Sequence, residues 1–277
     1  MMEEILSVND LKKYFTTGGF ASRKDLVKAV DGVSFSVKKR ETFVIAGGSG
    51  SGKTTTARLI LRAIEPDAGT ITFDGVNVAD DISLRKIRKE CQMIHQDPYA
   101  SVNPRMTVSD IIREPLNIHG IGNAEEKKRL ILEALHEVKL EPAEEIAKKY
   151  PHMLSGGQRQ RVAIARSIVT KPKLIIADEP VSMLDVSVRV GILELMRELQ
   201  ERLGISFLYI THDLATARYI GHKIAIMRNG EIVESGPIND VLFNPKHPYT
   251  KALIDSISDP DPDNLKRDKE INDKDLD

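Results

Sequence analysis

The chain of 277 residues is long enough for one large or two small domains with a substantial buried core. Lysine and arginine total 40 against 41 aspartate and glutamate, so no basic field argues for nucleic acid. The single Cys91 excludes an internal disulfide or a thiolate cluster within the chain and suits a reducing compartment. Its apolar surroundings make it a small core residue. No stretch approaches ~20 consecutive apolar residues, and Met1-Met2-Glu3-Glu4 carries acids where a secretory leader needs lysine or arginine. The expectation is a protein soluble by itself, with any membrane role running through a partner.

In chain order, Ile5 to Phe15 reads as a strand, broken by Thr16-Thr17-Gly18-Gly19 into a polar loop that ends near Lys24. Val33-Ser34-Phe35-Ser36-Val37 alternates strictly, as a strand with one buried face does. Tyr14 and Phe15 have two readings that stay open here: packing, or stacking on a nucleotide base. Next comes the apolar run Phe43-Val44-Ile45-Ala46, then Gly47-Gly48-Ser49-Gly50-Ser51-Gly52-Lys53-Thr54, then Thr55 to Ile64 with apolar residues at helical spacing. Strand, glycine loop, helix is the context in which G-x-x-x-x-G-K-[ST] has chemical meaning. Glycines let successive N–H groups turn inward around phosphate oxygens, and the helix N-terminus adds favourable partial charge. Gly47 through Thr55 are therefore expected to hold a nucleotide's phosphates, with Lys53 on the β- and γ-phosphates and the Thr54 hydroxyl on Mg²⁺. A flexible glycine–serine turn is the plain alternative, and it leaves the flanking strand and helix without a purpose.

Glu65-Pro66-Asp67-Ala68-Gly69 is a turn, and Thr70 to Phe73 alternates before the hairpin signal Asp74-Gly75. The early part is thus mostly antiparallel strands leading into an α/β layer. Cys91 to His95 forms a further strand ending at Gln96-Asp97-Pro98. From Val108 to about Lys149 the texture is helical: Ile131, Ala134, Leu135 and Val138 share one face, and Glu125 to Arg129 is a solvated charge run. This block reads as a small helical subdomain inserted into the α/β core.

Leu154-Ser155-Gly156-Gly157-Gln158 opens a helix through Val162, Ile164, Ile168 and Val169. Ser155 is a good N-cap, and by itself the pentapeptide requires no more; the same geometry can also bind a second anion. Leu174-Ile175-Ile176-Ala177 is a strand buried on both faces, ending in Asp178-Glu179. Two acids there need a cationic partner. A phosphate-bound magnesium fits Asp178, and a water aligned on the γ-phosphate fits Glu179. Ser182-Met183-Leu184-Asp185 leads into a helix whose Ile192, Leu195, Met196, Leu199 and Leu203 form a core stripe. Ile205 to Thr211 is another buried strand with His212 at its end, followed by helix Leu214–Ile220, strand Lys223–Met227, the Asn229-Gly230 hairpin and strand Glu231–Glu234. Pro237 to Ile257 reads as short helices punctuated by Pro245 and Pro248, and the tail beyond Asp259 is too charged to order itself.

Taken together, the glycine loop, Gln96, Leu154 to Gln158, Asp178-Glu179, Ser182 to Asp185 and His212 resemble the nucleotide-binding subunit of ABC transporters over about residues 5–257. Gln96-Asp97-Pro98-Tyr99-Ala100-Ser101-Val102-Asn103-Pro104-Arg105-Met106 and Asn244 to Leu253 are similar to its oligopeptide/dipeptide importer branch. The resemblance implies a P-loop ABC-type ATPase core, a mainly parallel sheet plus an antiparallel β subdomain, with an inserted α-helical subdomain. The implied division is 1–95 and 160–236 for the core, 96–159 for the helical subdomain, 237–258 for a C-terminal extension and 259–277 for a disordered charged tail. It further implies ATP and Mg²⁺, with Thr54, Gln96 and Asp178 at the metal. Glu179 is the expected general base, and Gln96 and His212 sit near the attacking water and the γ-phosphate. Phe15, with Tyr14 as second choice, matches the adenine-stacking position.

Two such subunits would face each other head to tail, with ATP between one glycine loop and the other's Ser155, Gly156, Gly157 and Gln158, and with Asp185 touching the opposing subunit. The implied partners are a second ATPase subunit, expected to be a different chain, two transmembrane permease subunits and an extracytoplasmic substrate-binding protein, which puts this chain at the cytoplasmic face of the membrane. Three departures stand out: Gly48 replaces a larger residue, Arg40 stands where a turn glycine is usual, and no cysteine follows the His-Pro-Tyr helix to build an iron–sulfur segment. Other cargoes, such as oligosaccharides or metal chelates, remain alternatives, as does a soluble ABC-type ATPase not tied to transport.

Overall fold

The structure, a computed structural model, describes residues 3–17, 25–97 and 102–258. The polar loop after Thr17, the Pro98-Tyr99-Ala100-Ser101 part of the importer-branch motif and the charged tail lie outside the described residues.

Strands β1 (Glu4–Thr17) and β2 (Asp25–Lys38) form a long antiparallel pair, longer than the sequence expectation on both sides. Then come β3 (Thr42–Ala46), helix α1 (Lys53–Ile60), β4 (Ala68–Phe73), the two-residue β5 (Val76–Asn77), α2 (Asp81–Glu90) and β6 (Cys91–Ile94). A four-stranded antiparallel sheet has the order β2-β1-β4-β5. Its inward residues Leu6, Val8, Leu11, Val33, Val37, Ile71 and Phe73 pack against Ile45, Leu59, Ile60, Leu208 and Ile210 of the α/β layer. Asp74 and Gly75 both take left-handed φ angles, 46° and 78°, as the expected tight hairpin requires.

Helix α1 is shorter than the apolar spacing suggests. The Ala63 N–H donates to the Arg58 carbonyl at 2.9 Å and the Arg62 N–H to that of Leu59 at 3.0 Å, with Arg62 left-handed at φ 49°. That bonding closes a helix C-terminus. Helix α2 has no counterpart in the sequence reading, because its surface is mainly charged and Ile87 is its one fully buried described side chain.

The helical block is α3 (Val108–Ile118), α4 (Ala124–Glu137), α5 (Ala143–Ile146) and α6 (Gly156–Ile168). Ile131, Ala134, Leu135 and Val138 are buried as their spacing requires, and the Glu125–Arg129 run faces solvent. Because α6 continues without a break, position 159/160 falls within one helix. Beyond it lie β7 (Leu174–Asp178), α7 (Val186–Leu203), β8 (Ser206–Thr211), α8 (Leu214–Ile220), β9 (Lys223–Arg228), β10 (Glu231–Pro237), α9 (Ile238–Phe243) and α10 (Pro248–Ser258). In α7, Ile192, Leu195, Met196 and Leu199 are buried, but Leu203 is 45% exposed: the last turn before the left-handed Gly204 has run past the core. Leu203 therefore leaves the predicted core stripe.

The second sheet has six strands in the order β10-β9-β3-β8-β7-β6, parallel except for the edge strand β10. Strands β3, β7 and β8 are buried at every position, which is why they read as unbroken apolar runs. Ala46 pairs with Thr211, and Asp178 with Ile210, so three strands end together at one sheet edge. Among the described residues no helix is long and apolar enough to cross a membrane.

Arg40 takes φ 60°, the left-handed region that the missing turn glycine would favour. Its N–H donates to the Ser206 hydroxyl at 2.9 Å, and its guanidinium lies over Gly204. Arg40→Gly is expected to raise stability by about 0.5–1 kcal/mol, the relief of left-handed strain net of the entropy glycine adds to the unfolded chain. Arg40→Ala keeps the strain, loses the contact and should show no gain. Equal urea midpoints for the two variants would rule out strain at this position.

Candidate functional site

The sheet edge opens on a cleft of about 1270 Å³ lined by Gly47 through Thr55, Gln96, Glu179 and His212. Backbone crowding dictates two of the glycines. A Cβ on Gly47 would stand 2.1 Å from the Met227 carbonyl oxygen, and one on Gly52, whose φ is 106°, would stand 2.2 Å from that of Ala29. Under the loop, Lys53 is 6% exposed and its ammonium donates to the carbonyl oxygens of Gly47 at 2.9 Å and Gly48 at 2.7 Å. Burial pulls the Lys53 pKa down, while the charges of Glu179 and Asp178 pull it back up. A desolvated ammonium under a glycine loop at the start of a helix suits a polyanion.

Asp178, the last residue of β7, is also buried. Burial raises its carboxyl above the usual range, the Thr54 hydroxyl bonded to it works the other way, and the Glu179 charge adds to the rise. Glu179 follows in a left-handed conformation, φ 48°, with its N–H donating to the Ile210 carbonyl at 2.9 Å. That turn swings its carboxylate off the strand line. One oxygen accepts from the Gln96 amide at 3.0 Å, and the other meets His212 Nδ1 at 3.0 Å. Non-glycine residues held at positive φ cost energy and cluster at functional sites. Gln96, Glu179 and His212 are thus brought into one hydrogen-bonded trio beside the lysine.

Other predicted residues lie elsewhere. Ser155 and Gln158 form a reciprocal capping box at the start of α6: the Ser155 hydroxyl accepts the Gln158 N–H at 3.3 Å, and the Gln158 side-chain oxygen Oε1 accepts the Ser155 N–H at 3.0 Å. Gly157 allows α7 to approach, since a Cβ there would lie 2.6 Å from Val188 Cγ1. Neither Ser155, Gly156, Gly157 and Gln158 nor Asp185 at the start of α7 lines the cleft. Phe15 is 40% exposed and does not line it either; its strand partner Val27 does. The Tyr14 hydroxyl donates to Asp31 at 2.6 Å, which commits Tyr14 to holding β1 on β2. Leu26, Lys28, Asn229, Leu253 and Ser256 also line the cleft and were not predicted. Leu253 belongs to the importer-branch segment and Asn229 to the Asn229-Gly230 hairpin; no motif marks the others.

A magnesium ion fits the donors present. No group of three or more His, Cys, Asp or Glu able to hold a metal occurs among the described residues. One buried carboxylate bonded to a threonine hydroxyl suits instead a hard cation that takes its remaining oxygens from phosphate and water.

Residues 30–182 match the family described as ABC transporter, and residues 233–276 match the family described as oligopeptide/dipeptide transporter, C-terminal region. Over 267 residues the chain is 45% identical to the oligopeptide transport ATP-binding protein OppF of Bacillus subtilis (strain 168), covering 95% of this chain and 85% of that protein. The oligopeptide transport ATP-binding protein AppF of the same organism is 46% identical, with 92% of this chain and 78% of that one covered. Among solved structures, a dimeric post-hydrolysis state of the ATP-binding cassette MJ0796, bound to ADP and Pi, superposes with a TM-score of 0.73 at 30% identity, covering 84% of this chain and 98% of that one.

Proposed function

The chain belongs to the ABC transporter family, and we propose that it is the ATP-hydrolysing subunit of an oligopeptide or dipeptide importer. The observation that carries the catalytic part is the convergence of Gln96, Glu179 and His212 beside buried Lys53 at one sheet edge. ATP lies with its phosphates in the loop from Gly47 to Thr55. Lys53 and the loop amides take up the negative charge that spreads over the γ-phosphoryl oxygens in the transition state. Water attacks the γ-phosphorus in line, its proton passes to the Glu179 carboxylate, and the bond to the β-phosphate oxygen breaks to leave ADP and phosphate. Gln96 and His212, both bonded to Glu179, hold that carboxylate in position. Thr54, Asp178 and Gln96 are the residues that would hold Mg²⁺, which supplies charge neutralisation at the phosphates when bound.

The remaining expectations form part of this proposal. The core comprises 1–95 and 160–236, with 96–159 as the helical subdomain and 237–258 as the extension. Phe15, exposed on β1 and paired with the cleft-lining Val27, is the adenine-stacking residue although it stands outside the cleft lining itself. Ser155 to Gln158 and Asp185, which lie outside the cleft of their own subunit, serve the nucleotide of a second and different ATPase subunit. Two permease subunits hold the pair at the cytoplasmic face of the membrane, and a substrate-binding protein delivers cargo from outside. Peptide cargo is supported by the names of the relatives and by the match over 233–276.

The test is co-purification with permease subunits of an oligopeptide importer, reconstitution in vesicles, and uptake of labelled oligopeptides. ATP-dependent uptake that stops in Glu179→Gln is expected. A complex that hydrolyses ATP yet moves only sugars or metal chelates would overturn the peptide assignment, and failure to join any permease would favour a soluble ATPase.

A further inference from the structure

The C-terminal helix touches the phosphate loop directly. The Gly48 N–H donates to the Tyr249 hydroxyl at 3.1 Å, although the two residues are 201 positions apart. Leu253 and Ser256, further along α10, line the same cleft. Tyr249 is itself well anchored. The Arg228 guanidinium lies 5.0 Å from the centre of its ring, its N–H donates to His247 Nδ1 at 3.1 Å, and Thr250 beside it is fully buried. On β10, Glu234 accepts the Lys246 and His247 N–H groups at 2.8 and 3.0 Å, which pins the start of α10 to the sheet.

Gly48 carries no side chain, so its backbone has more conformational freedom than any other residue would have there. A side chain there would be crowded: a Cβ on Gly48 would sit 3.2 Å from the Tyr249 oxygen, close enough that the hydroxyl would have to shift by a few tenths of an ångström. The two residues share one space, the tyrosine supplying from outside the restraint that the glycine lacks.

We propose that Tyr249 is a positioning residue that braces the phosphate loop, so that the C-terminal extension sets the order of the nucleotide site in its own subunit. The inference rests on the nucleotide reading above. What carries it is the juxtaposition of a glycine, a hydroxyl bonded to its amide, and an independently anchored helix.

ATP binding to the full chain with magnesium, measured by titration calorimetry, tests the brace. Tyr249→Phe removes the acceptor and should weaken ATP about 3–10-fold, the effect of one hydrogen bond, while the thermal midpoint barely moves. KM should rise more than kcat falls. Gly48→Ala should weaken binding in the unaltered chain, where its methyl crowds the hydroxyl, yet restore affinity in Tyr249→Phe, where the space is free and alanine stiffens the loop. That reversal of sign is the expected result, and a contact serving only overall stability does not produce it. Unchanged affinity in Tyr249→Phe overturns the brace, and so does tighter affinity, which would make the tyrosine a competitor of phosphate. Weakening without rescue overturns it too, since the hydroxyl would then act on the nucleotide itself. An unaltered chain that fails to bind ATP would instead sink the nucleotide reading.

Discussion

Glu179→Gln is expected to lower ATP turnover by about 10²–10⁴-fold, the usual contribution of a positioned general base, while leaving ATP affinity within about twofold. Glutamine has nearly the same shape and keeps polar contact with Gln96 and His212, which now stand 3.0 Å from the two carboxylate oxygens. What it loses is the capacity to accept a proton from water. Folding should be undisturbed, since glutamine meets the same left-handed backbone at φ 48° as the glutamate does. Phosphate release and nucleotide binding, measured on the same preparation, separate the two effects. Hydrolysis at the unaltered rate would remove Glu179 from the role of base. Retained binding without turnover should also let the variant accumulate as an ATP-bound pair with the second ATPase subunit, visible by size-exclusion chromatography of the two chains together with ATP.

Lys53→Ala should act at the preceding step and weaken ATP about 10-fold to 150-fold, equivalent to about 1.5–3 kcal/mol for a charge-assisted hydrogen bond to phosphate. Stability should not fall in parallel. Lys53 is 6% exposed, and burial already pulls its pKa down, so removing the ammonium relieves a desolvated charge even as the carbonyls of Gly47 and Gly48 lose a donor. Titration with ATP and a thermal scan, run together, check both halves. Unaltered affinity would remove the lysine from the phosphate site, whereas a collapse of the thermal midpoint would give it a structural role that its burial does not predict.

Local chemistry made much of this legible beforehand. Alternation and unbroken apolar runs located most strands of both sheets, though not β5 or the first half of β2, because a strand's side-chain period is set by its own backbone and by whether one face or two are covered. Ser155 and Gln158 could be read as a helix start, and Asp74-Gly75 and Asn229-Gly230 as hairpins, since those bonds and φ angles are settled within four residues. Helix α2 escaped because a thin apolar stripe among charged residues carries almost no periodic signal. Leu203 was misassigned because spacing along a helix says which face is apolar but not where the core beneath it ends.

The sequence by itself determined that a glycine loop with a lysine lies between a strand and a helix, and that acids stand at the end of a second buried strand; these follow from short-range sterics and hydrogen bonding. Only the tertiary structure decided that Glu179 meets Gln96 and His212 across separations of 83 and 33 residues, that its carboxylate turns into the cleft through a strained φ, and that Tyr249 reaches Gly48. Strand order and helix docking fix those meetings, and both minimise the free energy of the whole buried core. No window of neighbouring residues contains that quantity.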